Sequence, residues 1–175
     1  MKNILLVGGG GYVGNVLSSH FLKKGYKVTV LDNFIYNNQF SVQSYVGDKD
    51  YNLINGDMGD TSVLENVSKN VTDVIILAGL VGDPITKKYP LESDLINEKA
   101  IKKCIDFFNG KGIGKLIFIS TCSNYGLIEN NQLADEDYEL NPLSLYAKAK
   151  VENELYLLGK KGKVFKILKF RTMVV

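Results

Sequence analysis

One histidine, two cysteines and no long apolar run narrow this 175-residue chain before anything else is read. With His20 as the sole histidine, histidine-based triads and multi-histidine metal sites are set aside. His20 falls within a helical pattern and reads as a helix-surface or satisfied core residue. Cys104 and Cys122 fall in different element types, so no disulfide framework is expected and a reducing cytoplasm fits best. No stretch approaches the ~20 apolar residues that span a bilayer, so no membrane association is expected. The first strand starts at Asn3, which leaves no room for a signal peptide before it. Excess charge is missing too. A formal net charge of +2 argues against dominant electrostatic binding to nucleic acid. The cluster Lys160, Lys161 and Lys163 reads as a solvated helix end and loop.

What is present suits one domain, 1–175, with a real core: 45% of the residues are hydrophobic and 23% charged. Short apolar runs rich in strand-forming residues occur at 3–7, 27–31, 51–54, 73–78, 115–120 and 164–169. Helical patterns fill 12–24, 61–69, 91–109 and 143–159. The strongest is 91–109, where Leu91, Leu95, Ile96, Ala100, Ile101, Cys104, Ile105 and Phe108 recur at helical spacing. Gly110 and Gly112 then stop it. The segment 33–50 is polar and aromatic and reads either as a short helix or as a loop. Strand and helix alternate throughout. That pattern predicts right-handed crossovers and an α/β fold, a Rossmann-like doubly wound parallel sheet with helices on both faces.

Gly8-Gly-Gly-Gly-Tyr-Val-Gly14 follows the first strand and opens the first helix, the placement a dinucleotide fingerprint requires. Glycines permit a tight turn and let backbone amides reach a pyrophosphate at the helix N-terminus. The spacing is ambiguous. Gly9, Gly11 and Gly14 match one form of the fingerprint, and Gly8, Gly11 and Gly14 match another. No Lys-Ser/Thr ending follows, so kinase or ATPase chemistry is not supported. Asp32 ends the second strand, where a carboxylate can accept from adenosine ribose hydroxyls and repel a 2′-phosphate. That favours NAD over NADP. Asp57, after the third strand, is a weaker candidate near the adenine.

Tyr146 and Lys150 stand four residues apart in Leu143-Ser-Leu-Tyr-Ala-Lys-Ala-Lys150. On a helix they share one face. Tyrosine is a poor base, with an ordinary pKa of about 10. A lysine ammonium nearby is expected to favour the phenolate and lower that value. The pair reads as a proton acceptor for an alcohol.

Taken together, these residues resemble the extended short-chain dehydrogenase/reductase family, in its nucleotide-sugar epimerase/dehydratase branch. The resemblance rests on Leu6–Gly14, Asp32-Asn33, Gly56-Asp57, Leu77–Pro84, Asn97, Ser120–Gly126 and Pro142–Lys150, in family order and spacing. It implies that Gly8, Gly11 and Gly14 are the fingerprint glycines. It counts Tyr12, Val13, Asn33, Asp57 and Met58 among the NAD contacts, with Leu77, Ala78 and Gly79 beneath the cofactor. It makes Asn97 a mid-helix support of the site, grouped with the cofactor residues. It makes Thr121, Tyr146 and Lys150 catalytic, with Tyr146 and Lys150 also at the cofactor and Ser123 a second hydroxyl. Tyr125 reads as packing. Tyr146 would take a proton from a sugar hydroxyl while hydride leaves the same carbon for NAD+, giving a transient keto-sugar. Lys150 would lower the tyrosine pKa and bond the nicotinamide ribose. The implied substrate is a nucleotide-diphosphate sugar. The implied assembly is a homodimer through helices 91–109 and 143–159.

Departures from the family pattern bear on the chemistry. Val7 replaces the usual threonine before the first glycine. Cys122-Ser123 stand where the 4,6-dehydratases carry Asp-Glu, which argues against 4,6-dehydration and leaves Cys122 as a small buried residue. Thr172, in Lys169–Met173, stands where many epimerases have asparagine. The family continues into a C-terminal substrate lobe, so the chain is expected to be an N-terminal portion with that lobe missing. The leading expectation is an NAD-dependent nucleotide-sugar epimerase or dehydratase. A sugar-nucleotide reductase of the same fold and a non-catalytic NAD-binding regulator are the alternatives.

Overall fold

The apolar runs become six parallel strands: β1 (Asn3–Val7), β2 (Lys27–Asp32), β3 (Tyr51–Asn55), β4 (Asp73–Ile76), β5 (Lys115–Ile119) and β6 (Phe165–Leu168). They are seen in a computed structural model that describes residues 1–128, 134–160 and 165–168. The strand order is β3-β2-β1-β4-β5-β6. β1 therefore pairs on one side with β2 (Ile4 beside Val28) and on the other with β4 (Ile4 beside Asp73). The chain reverses its winding between β1 and β4, and a crevice opens beyond the carboxyl ends of the strands at such a point. The order is that of the doubly wound dinucleotide-binding fold expected from the alternation.

Both faces of the sheet are covered, which is why β1 reads as nearly continuous apolar sequence. Successive side chains alternate between faces. Leu5 and Val7 join a core with Leu64, Ile101, Ile105, Phe108 and Phe118. Ile4 and Leu6 join a second core with Val28, Val30, Phe34 and Val42. Leu5 and Leu6 are both fully buried, and each contributes roughly 1.5–3 kcal/mol by leaving water.

The helices are α1 (Tyr12–Lys23), α2 (Thr61–Val67), α3 (Asp83–Lys88), α4 (Pro90–Asp94), α5 (Ile101–Phe108) and α6 (Leu145–Gly159). α2 starts where the Asp60 carboxylate accepts from the Ser62 amide, and α6 where Ser144 Oγ accepts from the Ala147 amide. Both are ordinary N-caps. α3 was not expected from periodicity. Its start signal is local: Asp83-Pro84 directly after Gly82, which has φ +101°. The segment left open at 33–50 carries a 3₁₀ turn at Gln39–Tyr45.

The expected continuous helix 91–109 is corrected in one respect. Between α4 and α5 the backbone widens into a π turn, Leu95–Ala100. The cause lies in the partners of Asn97, whose carbonyl accepts from Asn153 Nδ2 of α6 at 2.6 Å. A carbonyl committed to a side chain of a neighbouring helix favours a wider ladder there, and such turns are frequent at functional sites. α5 keeps the expected apolar stripe, with Ile101, Cys104, Ile105 and Phe108 buried. Burial pushes the Cys104 thiol up to about 12, which makes it an inert core residue. No helix among the described residues is long and apolar enough to cross a membrane. The expectations for Lys161, Lys163 and Lys169–Met173, Thr172 included, lie outside the described residues.

Candidate active site

The turn from β1 into α1 is built almost entirely from backbone. Gly8 has φ +80°, and a Cβ there would lie 2.5 Å from the backbone of Ala78. A Cβ on Gly14 would lie 2.3 Å from the Gly9 carbonyl oxygen. The loop is thus pressed against the end of β4 and against its own first turn. α1 has no side-chain cap at Gly11, so its leading amides remain available to an anion. A cavity of about 510 Å³ opens over this turn, within the range of small-molecule sites. Gly8, Gly11, Tyr12, Val13 and Gly14 line one wall.

Asp32 forms the second wall, with Asn33 beside it. Its carboxylate accepts from the Gly10 amide and from the Phe34 amide, each at 2.8 Å. The second bond holds Phe34 at φ +50°, a left-handed conformation uncommon for a bulky side chain. Asn33 caps the Ile35 amide at 3.2 Å, and Asp57 accepts from the Gly59 amide at 2.7 Å. Asp57 and Met58 line the cavity below Asp32. On the β4 side β4 ends two residues before the expected boundary, because the amides of Leu77 and Ala78 both donate to the Val7 carbonyl. Leu77, Ala78 and Gly79 leave the sheet there and line the cavity floor.

Several residues here escaped the sequence reading. Asn38 Nδ2 and Ser41 Oγ both donate to the Gly10 carbonyl, at 2.8 and 2.7 Å. Tyr45 Oη donates toward the Asn15 carbonyl and side chain, and Asn15 Nδ2 donates to the Ser41 carbonyl. The segment after β2 therefore straps the glycine loop from outside. A Cβ on Gly10 would meet the Phe34 ring at 2.5 Å, so the third glycine of the run is needed as well. Four glycines in a row were the only signal for it. Val81 and Ile96 also line the cavity, with nothing local to mark them.

Asn97 was grouped with the cofactor contacts, and its amide is committed elsewhere. It is buried, and Oδ1 accepts from the Leu80 amide at 2.7 Å while Nδ2 donates to the Leu80 carbonyl at 3.0 Å and to Ser93 Oγ at 3.1 Å. It pins the loop that carries Gly79 and Leu80, and does not line the cavity.

Thr121, Tyr146 and Lys150 stand together further along the sheet, around the carboxyl end of β5. None of them lines the cavity over the glycine loop. Thr121 caps the 3₁₀ turn Cys122–Tyr125, with Oγ1 accepting from the Ser123 amide at 3.2 Å. Tyr125 is buried edge-on against Tyr138. Lys150 is buried, and Nζ donates to the Ile119 carbonyl at 2.9 Å. Nζ also lies 4.6 Å from the Phe118 ring centroid and 5.7 Å from that of Tyr146, within reach of a cation–π attraction.

The expected lowering of the Tyr146 pKa is not found here. Burial, followed by Cys122 and the Asp83 carboxylate, holds the Tyr146 phenol above its ordinary value. The Lys150 ammonium, turned to Ile119, does not outweigh them. Burial also brings Lys150 down to about 8, against the opposing pull of Glu154. Cys122, expected to be buried, is partly exposed and acts on Tyr146. No group of three or more His, Cys, Asp and Glu suited to a metal occurs among the described residues.

Comparisons with known proteins bear on the fold and the family. A family model described as the NAD dependent epimerase/dehydratase family matches residues 4–168. The chain is 30% identical over 151 residues to a UDP-glucose 4-epimerase of Corynebacterium glutamicum, covering 85% of this chain and 43% of that protein. It is 29% identical to UDP-glucuronic acid decarboxylase 1 of Danio rerio, covering 81% of this chain and 33% of that one. Its fold superposes with a TM-score of 0.85 on a crystal structure of UDP-glucuronic acid 4-epimerase from Bacillus cereus in complex with UDP-glucuronic acid and NAD. That match is at 24% identity and covers 96% of this chain and 55% of the other. The chain thus spans about half or less of the length of these relatives.

Proposed function

This chain belongs to the NAD dependent epimerase/dehydratase family, and we propose that it binds NAD over the glycine loop and carries the catalytic residues of a nucleotide-sugar epimerase or dehydratase. The observation that carries the reading is the glycine cradle facing Asp32. Gly8 and Gly14 leave no room for a Cβ, an uncapped helix N-terminus supplies amides, and a carboxylate stands where a ribose would bring hydroxyls. These features fit a dinucleotide: amides for its pyrophosphate, Asp32 for its adenosine ribose and the apolar floor at Leu77–Gly79 for its rings. Asp32 disfavours a 2′-phosphate, which selects NAD. We take 1–175 as the NAD-binding domain.

When bound, the nicotinamide supplies hydride uptake and return at a sugar carbon. The chain's own share is positioning and proton handling. Thr121 holds the reacting hydroxyl against Tyr146, and Tyr146 moves its proton. Tyr146 in the structure favours the protonated phenol, so acting as a base requires more positive charge beside it. The oxidised cofactor's charge, and Lys150 freed from Ile119, both act in that direction. The substrate class is a nucleotide-diphosphate sugar, supported by relatives named for UDP-glucose and UDP-glucuronic acid.

Leu91 and Leu95, and Leu155 and Leu158 of α6, are large apolar side chains left exposed. They support a homodimer through the two helical segments 91–109 and 143–159. Two free cysteines suit the cytoplasm. Titration calorimetry with NAD+ and NADP+, followed by NMR of UDP-, GDP-, CDP- and dTDP-sugars incubated with the full-length form of the protein and NAD+, tests the reading. NAD+ binding with a new sugar product is the expected result. NAD+ binding without turnover of any sugar leaves a binding protein, and no NAD+ binding overturns the proposal.

A further inference from the structure

Tyr146, Lys150 and Glu154 occupy one face of α6 on successive turns. The first two have roles above, and Glu154 has none. It is 2% exposed and ranks among the largest fully buried side chains. A carboxylate taken from water costs several kcal/mol unless it is bonded and countered. Glu154 Oε1 accepts from Asn124 Nδ2 at 2.6 Å and from Ser120 Oγ, and Asn124 Nδ2 also reaches Ser120 Oγ at 3.0 Å. Ser120 directly precedes Thr121, and Asn124 belongs to the turn that Thr121 caps. Lys150, one turn away, is a cation buried to 5% exposure whose ammonium donates to a neutral carbonyl.

We propose that Glu154 is a positioning residue, a buried counter-charge that keeps Lys150 cationic while its oxygen locks Ser120 and Asn124 around Thr121. One carboxylate then holds two parts of the site, the cation by its field and the hydroxyl by its hydrogen bonds. Glutamine at this position would keep an oxygen able to accept from Ser120 and Asn124, so the negative charge is what distinguishes glutamate. Burial lowers the proton affinity of the lysine, and Glu154 opposes that lowering. Among the described residues Tyr146 lies one turn before Lys150 on α6, and Cys122 after β5 and Asp83 on α3 bear on Tyr146. The consequence for NAD rests on the function proposed above, whereas the coupling of Glu154 to Lys150 does not.

The test is a pH titration of the 13Cε resonance of Lys150 in lysine-labelled protein, with thermal unfolding recorded in parallel. Glu154→Gln is expected to lower the Lys150 midpoint by about one unit or more, a tenfold loss of proton affinity. A folded Glu154→Gln protein whose Lys150 midpoint is unmoved overturns the proposal, even if the protein is less stable. Lys150→Met added to Glu154→Gln keeps the question decidable if the single variant fails to fold. With no unpaired cation left, the double variant is then expected to regain a cooperative thermal transition, and a double variant as unfolded as Glu154→Gln overturns the proposal. NAD+ affinity separates this inference from the functional one. Glu154→Gln is expected to weaken NAD+ at neutral pH and to recover part of the loss as pH falls. A wild-type protein that ignores NAD+ while Lys150 and Glu154 remain coupled removes the functional reading alone.

Discussion

At the β1–α1 turn the cavity wall is main chain, whereas around the end of β5 the site is made of side chains taken out of water. The first region works by leaving atoms out: Gly8, Gly10 and Gly14 have no space for a Cβ. The second works by enclosing charge: Lys150 and Glu154 are both nearly inaccessible. Their vulnerabilities differ accordingly. A backbone cradle is insensitive to pH and intolerant of a single methyl. A buried ionic cluster responds to protons and to the loss of any partner.

Separating the two regions by mutation gives the largest expected effect. Tyr146→Phe should lower sugar turnover by about 10³-fold, the scale of a positioned acid–base group, while NAD+ affinity stays within roughly twofold. Turnover near wild type would remove Tyr146 from the chemistry. Gly14→Ala should do the reverse. Its Cβ meets backbone that cannot yield cheaply, so NAD+ affinity should fall about 100-fold and stability by about 2–3 kcal/mol. Calorimetry showing unimpaired NAD+ binding would mean the cradle is not where the cofactor lies.

Asp32→Asn sharpens the contrast within the cradle, because it keeps the side chain's outline while removing the charge and one of the two amide bonds to Gly10 and Phe34. NAD+ affinity should drop about tenfold, the scale of a hydrogen bond to a charged group, and the preference over NADP+ should narrow. An unchanged NAD+/NADP+ ratio in competition binding would detach Asp32 from cofactor choice. The last effect concerns pH. Lys150 has a folded value of about 8 against 10.5 in the open chain, so between these the unfolded chain binds the extra proton. Wild type should gain stability relative to Lys150→Met as pH rises through that window, with no change in the difference below it. Urea unfolding of both proteins at several pH values measures this, and a flat difference would mean that Lys150 is not strained by burial.

The legibility of these regions followed the range of their interactions. The glycine run, Asp32 and the Tyr146–Lys150 spacing could be read because each is local: a turn, a strand end, one helix face. The strap at Asn38, Ser41 and Tyr45 could not, because its bonds to the loop cross 28 to 31 residues. The π turn at Leu95–Ala100 was hidden under a clean apolar stripe, since its cause is a side chain of α6, 56 residues away. The sign of the Tyr146 shift was misjudged for the same reason. Spacing places Lys150 one turn from Tyr146 but says nothing of Ile119, 31 residues back, which takes the ammonium, or of the burial that opposes the phenolate.

From sequence alone came the alternation that dictates a doubly wound sheet, the cradle that demands glycine and the candidates for moving a proton. These depend on backbone sterics and periodicity, which neighbouring residues settle among themselves. Tertiary structure decided which of those residues are dry and what faces them. It turned Asn97 onto Leu80, set Asp83 and Cys122 against Tyr146, and enclosed Glu154 with Ser120 and Asn124 one turn from Lys150. The reason is dielectric: the cost of a charge and the strength of its partners depend on how much water is excluded, and only the packed chain sets that.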